Sequence, residues 1–478
     1  VTGAVVDSAR ASVEFLDRIQ SARTAQREWQ ERSVSDRLGC IRALRLAIGS
    51  DPDKLALSCG RSNLAETLAS EVLPLADACR FLEKTAAKTL ATKRLGNRGR
   101  AAWLRSVGVE LQRDPFGLVL IVAPSNYPLM LAGIQALQAI VAGNAVLWKP
   151  AVGCADAAMV LRDLLVQSGL DPRLFVVLPE AVESVQHAVG CGIDKLVLTG
   201  SVGTGRAIQD LLADKLVPST MELSGCDAMF VTGSANIDRA VRCLVLGLTF
   251  NGSRTCIAPR RVLVSTSVAS QFVDGVKNAL QAGRGADTNF SVREQLVQQA
   301  LASGAKLLHD EPTVLTNVTP GMDIAKADVF EPVTSIMAYN DTAEALSMND
   351  ECPYALGATV FGAENSETDE LVRRVNAGCV VVNDMIVPTA DPRIPFGGRG
   401  NSGFGITRGT AGLEEMTQLK AIVRQRGSWL PHLDEPTPVD AEVLTKLIQT
   451  LHAPGLLGRA KNSIGLLRAT LAQRKHRK

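Results

Sequence analysis

The 478-residue chain has few aromatic rings: 12 Phe, 4 Trp and 3 Tyr, or 4%. A platform that stacks the bases of single-stranded nucleic acid needs such rings, so that class is disfavoured. Charge does not argue the other way. With 51 Lys and Arg against 49 Asp and Glu the formal net charge is +2, so no global pull toward nucleic acid is implied. Histidine is scarce as well. The five are His187, His309, His432, His452 and His476, three of them in the last fifth of the chain, and no metal site is expected. Ten cysteines are scattered without a C-x-x-C pair, which disfavours a zinc ribbon and a thioredoxin-like motif. Scattered thiols in so long a chain fit a reducing compartment, and a cytoplasmic location is expected. The opening Val1-Thr-Gly-Ala-Val-Val-Asp has no basic segment leading into an apolar core, so no secretory signal is expected. It also lacks Met, which leaves the true start open.

What is abundant is apolar surface: 46% of residues are hydrophobic, enough for a large core in two or three domains. The most apolar stretch, Leu129 to Trp148, has the length of a membrane span. Gln135, Gln138 and Gly143-Asn144 interrupt it, and a turn there splits it into a helix and a strand. Residues 5 to 95 read as helices (Val5–Trp29, Val34–Ile48, Leu64–Ala91), and residues 101 to 115 as strand-like. From Phe116–Ala123 onward, apolar strands alternate with helices: helix Leu129–Ala142, strand Ala145–Trp148, helix Ala155–Ser168, strand Leu174–Leu178, helix Val182–Val189, strand Lys195–Leu198. That alternation predicts an α/β, doubly wound parallel sheet. A second alternating pattern begins at Met229–Val231, includes a helix over Val268–Ala282, and runs to Val380–Val382. After Val423 the chain changes again. Leu456, Leu457, Ile464, Leu467 and Leu471 give an apolar stripe among seven Lys and Arg, with no acid after Glu442.

Three residues stand out chemically. Cys256 lies in Phe250-Asn-Gly-Ser-Arg-Thr-Cys-Ile-Ala-Pro259, Glu222 in Met221-Glu-Leu-Ser-Gly225, and Asn126 between two prolines in Pro124-Ser-Asn-Tyr-Pro128. A thiol attacks carbonyls, a carboxylate activates water, and an amide holds an oxyanion. The plain alternatives are a buried small thiol, a solvated or paired carboxylate and a turn former. Arg254, so near Cys256, is expected to lower the thiol pKa. The turn Leu198-Thr-Gly-Ser-Val-Gly-Thr-Gly205 follows a strand and opens a helix, so its N–H groups can face a phosphate. Its G-x-x-G-x-G spacing is not the standard dinucleotide fingerprint. Tyr127, Leu131 and Ile134 point to an apolar substrate wall, whereas Arg254 points to an acidic substrate.

Together these pieces resemble the aldehyde dehydrogenase superfamily. The resemblance covers about Asp114 to Val423, through Pro124-Ser-Asn-Tyr-Pro128, Gly143-Asn-Ala-Val-Leu-Trp-Lys-Pro150, Leu198-Thr-Gly-Ser201, Glu222-Leu-Ser-Gly225, Thr255-Cys-Ile-Ala-Pro259, Val329-Phe-Glu-Pro332, Pro395-Phe-Gly-Gly398 and Asn401-Ser-Gly403. The Thr-Cys-Ile-Ala-Pro and Gly-Asn-Ser-Gly pieces look like its class 3 (fatty or aromatic aldehyde) branch. The resemblance implies that Cys256 is the nucleophile, that Asn126 and the Cys256 N–H stabilise the oxyanion, and that Glu222 activates the water. It implies cofactor contacts by Lys149, Gly200, Ser201, Gly205, Leu223, Asp328 and Phe330, with NAD or NADP as the hydride acceptor. The sequence departs from the family at four places. Val152 stands where NAD-preferring members often carry Glu, which makes NADP acceptable. Asp328 replaces Glu, Ser125 replaces an aromatic residue, and Ser253-Arg254 replaces Gly-Gln.

The architecture implied is a Rossmann-like cofactor domain over 1–100 and 116–223 with N-terminal helices, and an α/β catalytic domain over 224–414. Oligomerisation strands are expected at 101–115 and 415–424, and a basic, partly helical extension at 425–478. The expected partners are a small-molecule aldehyde and further copies of the chain, as a homodimer or homotetramer, but no nucleic acid. The tail reads either as a surface or inter-subunit helix or as a peripheral membrane contact. Competing readings are a coenzyme A-acylating enzyme, a cysteine hydrolase lacking a placed histidine, and a non-catalytic scaffold of the same fold.

Overall fold

The computed structural model of the chain describes residues 2–281, 292–428 and 430–476. It forms two compact units, one from residues 1–92 and 112–420, the other from 93–111 and 421–478. The larger begins with helices α1 (Thr2–Gln30), α2 (Val34–Ser50), α3 (Pro52–Ser58), α4 (Leu64–Thr67) and, after a π-helical turn over Leu68–Val72, α5 (Leu73–Thr89). Strand β1 (Lys93–Leu95) belongs to the smaller unit, and the chain passes back to the larger within β2 (Val107–Pro115). The alternation expected from the sequence then follows: β3 (Leu118–Val122), α6 (Met130–Ala142), β4 (Ala145–Lys149), α7 (Ala155–Gln167), β5 (Phe175–Val177), α8 (Glu183–Gly190), β6 (Lys195–Gly200), α9 (Val202–Ala213) and β7 (Ser219–Leu223). The second pattern comprises β8 (Asp227–Val231), α10 (Ile237–Thr249), β9 (Pro259–Ser265), α11 (Ala269–Gln281), α12 (Val292–Ala302), β10 (Lys306–His309), β11 (Thr313–Thr316), β12 (Val333–Tyr339), α13 (Thr342–Asp350), β13 (Tyr354–Ala355), β14 (Gly357–Phe361), α14 (Ser366–Arg374) and β15 (Cys379–Val382). The helix expected to reach Ala282 ends the described segment at Gln281; Ala282 itself lies outside the described residues. Short strands β16 (Arg399–Gly400) and β17 (Gly403–Phe404), helix α15 (Gly409–Glu414), strand β18 (Thr417–Gln425) and helices α16 (Pro438–His452) and α17 (Leu456–His476) complete the chain.

Two parallel-rich sheets result. The first has the order β17-β7-β6-β3-β4-β5 and the second β10-β11-β12-β9-β8-β14-β15. β3 is central in the first because Leu118 to Val122 is apolar on both faces, and all five residues are buried. The apolar run after it is no membrane span. α6 is 13 residues long, wholly buried, and ends where Gly143 takes φ 102°. Asn144 then fixes the turn: its Oδ1 accepts from Gly117 N–H, and its Nδ2 donates to the Ala139 and Met416 carbonyls. No helix among the described residues is long and apolar enough to cross a membrane. Strands β1, β2 and β18 form a separate three-stranded sheet.

The N-terminal helices brace α6. Trp29 donates its indole N–H to the Ile140 carbonyl at 2.9 Å. Glu71, on the π-helical turn and fully buried, accepts from the Leu129 and Met130 N–H groups at the start of α6 (3.2 and 2.6 Å). Burial pushes the Glu71 carboxyl up to about 7, against the opposing pull of those N–H donors and Arg61. A carboxyl raised in the folded state stabilises the fold fully below its unfolded value and loses that contribution as pH rises through the folded one. Glu71→Gln keeps an acceptor for α6 without the charge. Between pH ~4.5 and ~8 the variant should gain up to about 3 kcal/mol relative to wild type. Urea unfolding of both proteins at the two pH values checks this; a pH-independent difference would refute it.

Candidate active site

The chain runs from β3 to β4 and β5 on one side, then returns to place β6 and β7 on the other side of β3. The carboxyl ends of β3 and β6 therefore diverge in a crevice, the usual ligand position in an open α/β sheet. Val122 at the end of β3 pairs with both Lys149 and Leu198, so three loops leave side by side. The first carries Asn126, the second Pro150 to Cys154, the third Gly200-Ser201.

The Asn126 loop is tied to the Cys256 loop. Asn126 Nδ2 donates to the Arg254 carbonyl at 2.9 Å, and Tyr127 Oη shares a hydrogen with Thr255 Oγ1 at 2.6 Å. Asn251 Nδ2 donates back to the Asn126 carbonyl at 3.0 Å. The turn before Cys256 is tightly wound, with Asn251, Gly252 and Ser253 at φ 53°, 59° and 60°. A left-handed Ser is strained and needs support. Arg260 supplies it, donating to the Ser253 hydroxyl (2.8 Å) and carbonyl (2.5 Å), while the hydroxyl donates to the Gly247 carbonyl. Cys256 follows this turn, half-buried, and not at a helix N-terminus.

Glu222 sits on β7, a strand not foreseen in the sequence, and is 1% exposed. Three residues on, Gly225 packs on the Cys256 loop: a Cβ there would lie 2.6 Å from the Cys256 carbonyl oxygen. The Pro395–Arg408 segment closes the sheet edge. β17 pairs antiparallel to β7 with Gly403 opposite Glu222, and a Cβ at Gly403 would lie 2.0 Å from the Met221 carbonyl. This explains why glycines and small residues recur there. Beyond β17, the Thr407 hydroxyl donates to Glu222 Oε2 at 2.6 Å, and the buried Arg408 guanidinium lies over the Phe396 ring and donates to the Thr389 carbonyl. Glu222 Oε1 and Arg408 Nε have no hydrogen-bond partner among the described residues.

The electrostatics overturn one expectation. Burial pushes the Cys256 thiol well up, and the Glu222 and Asp227 carboxylates push it further. The opposing cation is Arg408, 152 positions along the chain, and not the neighbouring Arg254. Arg254 is exposed and acts instead on Glu331. Burial also raises Glu222, opposed by Arg408 and the Thr407 hydrogen bond. Burial thus favours the neutral form of both the thiol and the carboxyl.

The residues assigned to the cofactor fall around the same crevice. Gly200 ends β6, Ser201 caps α9 by accepting from Thr204 N–H at 3.2 Å, and Gly205 packs against Leu223, where a Cβ would lie 2.8 Å from Leu223 Cδ1. Lys149 ends β4, largely buried. Asp328 is half-buried, burial raising its carboxyl, and Phe330 is exposed on the same loop. Val152 is exposed to solvent. A carboxylate that sequence reasoning missed lies nearby: Glu180 accepts from the Gly153, Cys154 and Ala155 N–H groups at 2.9 to 3.1 Å and acts on Lys149. Asp227, Arg260, Thr407 and Arg408 were also missed. The described residues hold no cluster suited to a metal ion.

Comparison with known proteins agrees with this architecture. The pattern of the aldehyde dehydrogenase family matches residues 2–422. A Mycobacterium ulcerans (strain Agy99) protein, provisionally named a succinate-semialdehyde dehydrogenase [NADP(+)], is 30% identical over 450 residues, covering 87% of this chain and 85% of that protein. A 4,4'-diapolycopene aldehyde oxidase from a Methylomonas species is 26% identical, over 83% and 78% of the two chains. The structure of an NADP-dependent glyceraldehyde-3-phosphate dehydrogenase from Bacillus halodurans C-125 complexed with NADP superposes with a TM-score of 0.79 at 25% identity, over 87% and 92%. The chain belongs to the aldehyde dehydrogenase family, oxidoreductases that act on aldehydes with NAD or NADP.

The Thr407 contact makes a prediction independent of turnover. Thr407→Val removes a hydrogen bond that favours ionised Glu222, so the Glu222 titration should move to higher pH, and Thr407→Ser should restore it. The protonated-carboxyl infrared band that disappears in Glu222→Gln reports this; an unmoved titration in Thr407→Val would refute the assignment.

Proposed function

We propose that this chain oxidises an aldehyde to a carboxylic acid through a thioester on Cys256. The observation that carries the reading is the packing of the Glu222 and Cys256 segments at Gly225, with the Asn126 loop tied to the same turn. Cys256 gives its proton to solvent, and the sulfur bonds to the aldehyde carbon while the carbonyl pair moves to oxygen. That oxygen would be received by the Asn126 amide and the Cys256 N–H. The nicotinamide supplies the hydride acceptor. Lys149 would hold the adenosine ribose, Gly200, Ser201 and Gly205 the pyrophosphate, and Leu223, Asp328 and Phe330 the nicotinamide end; the glycine approach at Gly205 and the α9 N-terminus fit such a ligand. With the thioester formed, Glu222 takes a proton from water as its oxygen attacks. The carbon–sulfur bond breaks, the acid leaves, and Glu222 returns its proton to the Cys256 sulfur. A retained base makes water, rather than coenzyme A, the acyl acceptor in this reading.

The names of the relatives point to two aldehyde chemistries, one carboxylated and one long and apolar. A panel spanning both, followed by NADH and NADPH absorbance, tests the reaction class. β18, the edge strand of its sheet and mostly exposed, supports the reading of a homodimer or homotetramer.

Cys256→Ala should abolish turnover, and Glu222→Gln should slow it by about 10²–10⁴-fold while a thioester accumulates. Turnover surviving in Cys256→Ala, or Glu222→Gln without a trapped acyl-enzyme, would overturn the respective role. Glu180 bears on cofactor choice. Its carboxylate fills the α7 N-terminus beside Lys149, where a 2′-phosphate would meet like charge. Glu180→Ala should raise kcat/KM for NADP relative to NAD by about tenfold. An unchanged ratio would place Glu180 away from the ribose.

A further inference from the structure

The smaller unit is net positive and the remainder of the chain net negative. Residues 93–111 and 421–478 hold 15 Lys and Arg against 5 Asp and Glu, a net of +10, and the remaining residues hold 36 against 44. Five arginines (Arg94, Arg100, Arg105, Arg424, Arg426) line one concave surface of this unit with a single acid, Glu110. The unit ends in a helical hairpin, α16 and α17, beyond the last residue matched by the family pattern. Gln449 and Asn462, and Asp440 and Gln473, are hydrogen-bonded across it, which fixes an antiparallel register. Within that register Ala469 is buried.

The other face of α17 is apolar and uncovered. Leu457, Ile464, Leu467 and Leu471 are spaced by seven, three and four residues, which places them on one helical face. Each is more than half exposed, as are Leu444 and Ile448, four residues apart on α16. Lys461 and Arg468, exposed and one heptad apart, flank the stripe. In sequence, Arg474, Lys475, Arg477 and Lys478 follow, and no acid lies after Glu442.

We infer that this hairpin is a docking surface for an anionic lipid bilayer, lying in the headgroup plane with its aliphatic stripe inserted and its cations on the lipid phosphates. Exposed aliphatic side chains bordered by cations fit that boundary. A second copy of the chain fits worse, because a self-complementary contact would bring the same cations together. Nucleic acid would use the cations but not the aliphatic stripe.

The test uses the full-length protein with sedimenting vesicles of equal phosphatidylglycerol and phosphatidylcholine, and with phosphatidylcholine alone, at low and high salt. Binding to the anionic vesicles should exceed binding to the neutral ones by at least about tenfold and fall with salt. Ile464→Glu with Leu467→Glu should cut it about tenfold without changing aldehyde turnover. Lys461→Gln with Arg468→Gln, which leaves the stripe intact, should weaken it and reduce its salt dependence. No binding to anionic vesicles at low salt, or equal binding by the double Glu variant, would overturn the proposal. A wild-type oligomer that the double Glu variant dissociates, with no vesicle binding, would assign the stripe to a second copy instead.

Discussion

A carboxylate buried as fully as Glu222 sets the terms for the structure around it. An isolated ionised carboxyl at that depth is costly, and such a group either neutralises or finds compensation. Both are visible here. Burial raises its pKa, while the Thr407 hydroxyl and the Arg408 guanidinium limit the rise. Placing those two side chains requires the 395–408 segment to fold back along β7, and that backbone approach leaves no room for a Cβ at Gly403. The same carboxylate pushes the Cys256 thiol up, so the two groups are coupled through their charges.

What was legible in the sequence was local. The strand–helix alternation, the turn at Gly143-Asn144 and the turn at Gly200-Ser201 are written in contiguous residues, and each is found within a few positions. Asn126, Glu222 and Cys256 were singled out by their immediate neighbours. What was not legible depends on partners far apart in the chain. Thr407 meets Glu222 across 185 positions, and Glu71 meets Met130 across 59. Glu180 reaches the α7 N-terminus from the loop after β5, a position no spacing rule ties to Lys149. The expectation for Arg254 failed for the same reason: nearness in sequence says little about where a flexible charged side chain sends its field.

Net charge misled in a related way. A value of +2 is a sum, and it conceals a smaller unit at +10 beside a larger one of opposite sign. Electrostatic arguments about partners apply to surfaces, because screening confines each charge to roughly 10 Å. The basic stretch at 93–111 joins the basic tail in space only because both belong to one compact unit.

The departures at Ser253-Arg254 and Asp328 keep alive the reading of a non-catalytic scaffold of the same fold. Their surroundings weaken it. A serine in the left-handed region is strained, and drift without selection would leave that strain unsupported. Ser253 instead has both its hydroxyl and its carbonyl held by Arg260, which also donates to the Glu331 carbonyl and so links the Cys256 turn to the Asp328–Glu331 loop. Asp328, one methylene shorter than glutamate, lies half-buried on that loop. Ser253 therefore sits in a connected set of contacts that holds the Cys256 turn to the Asp328–Glu331 loop.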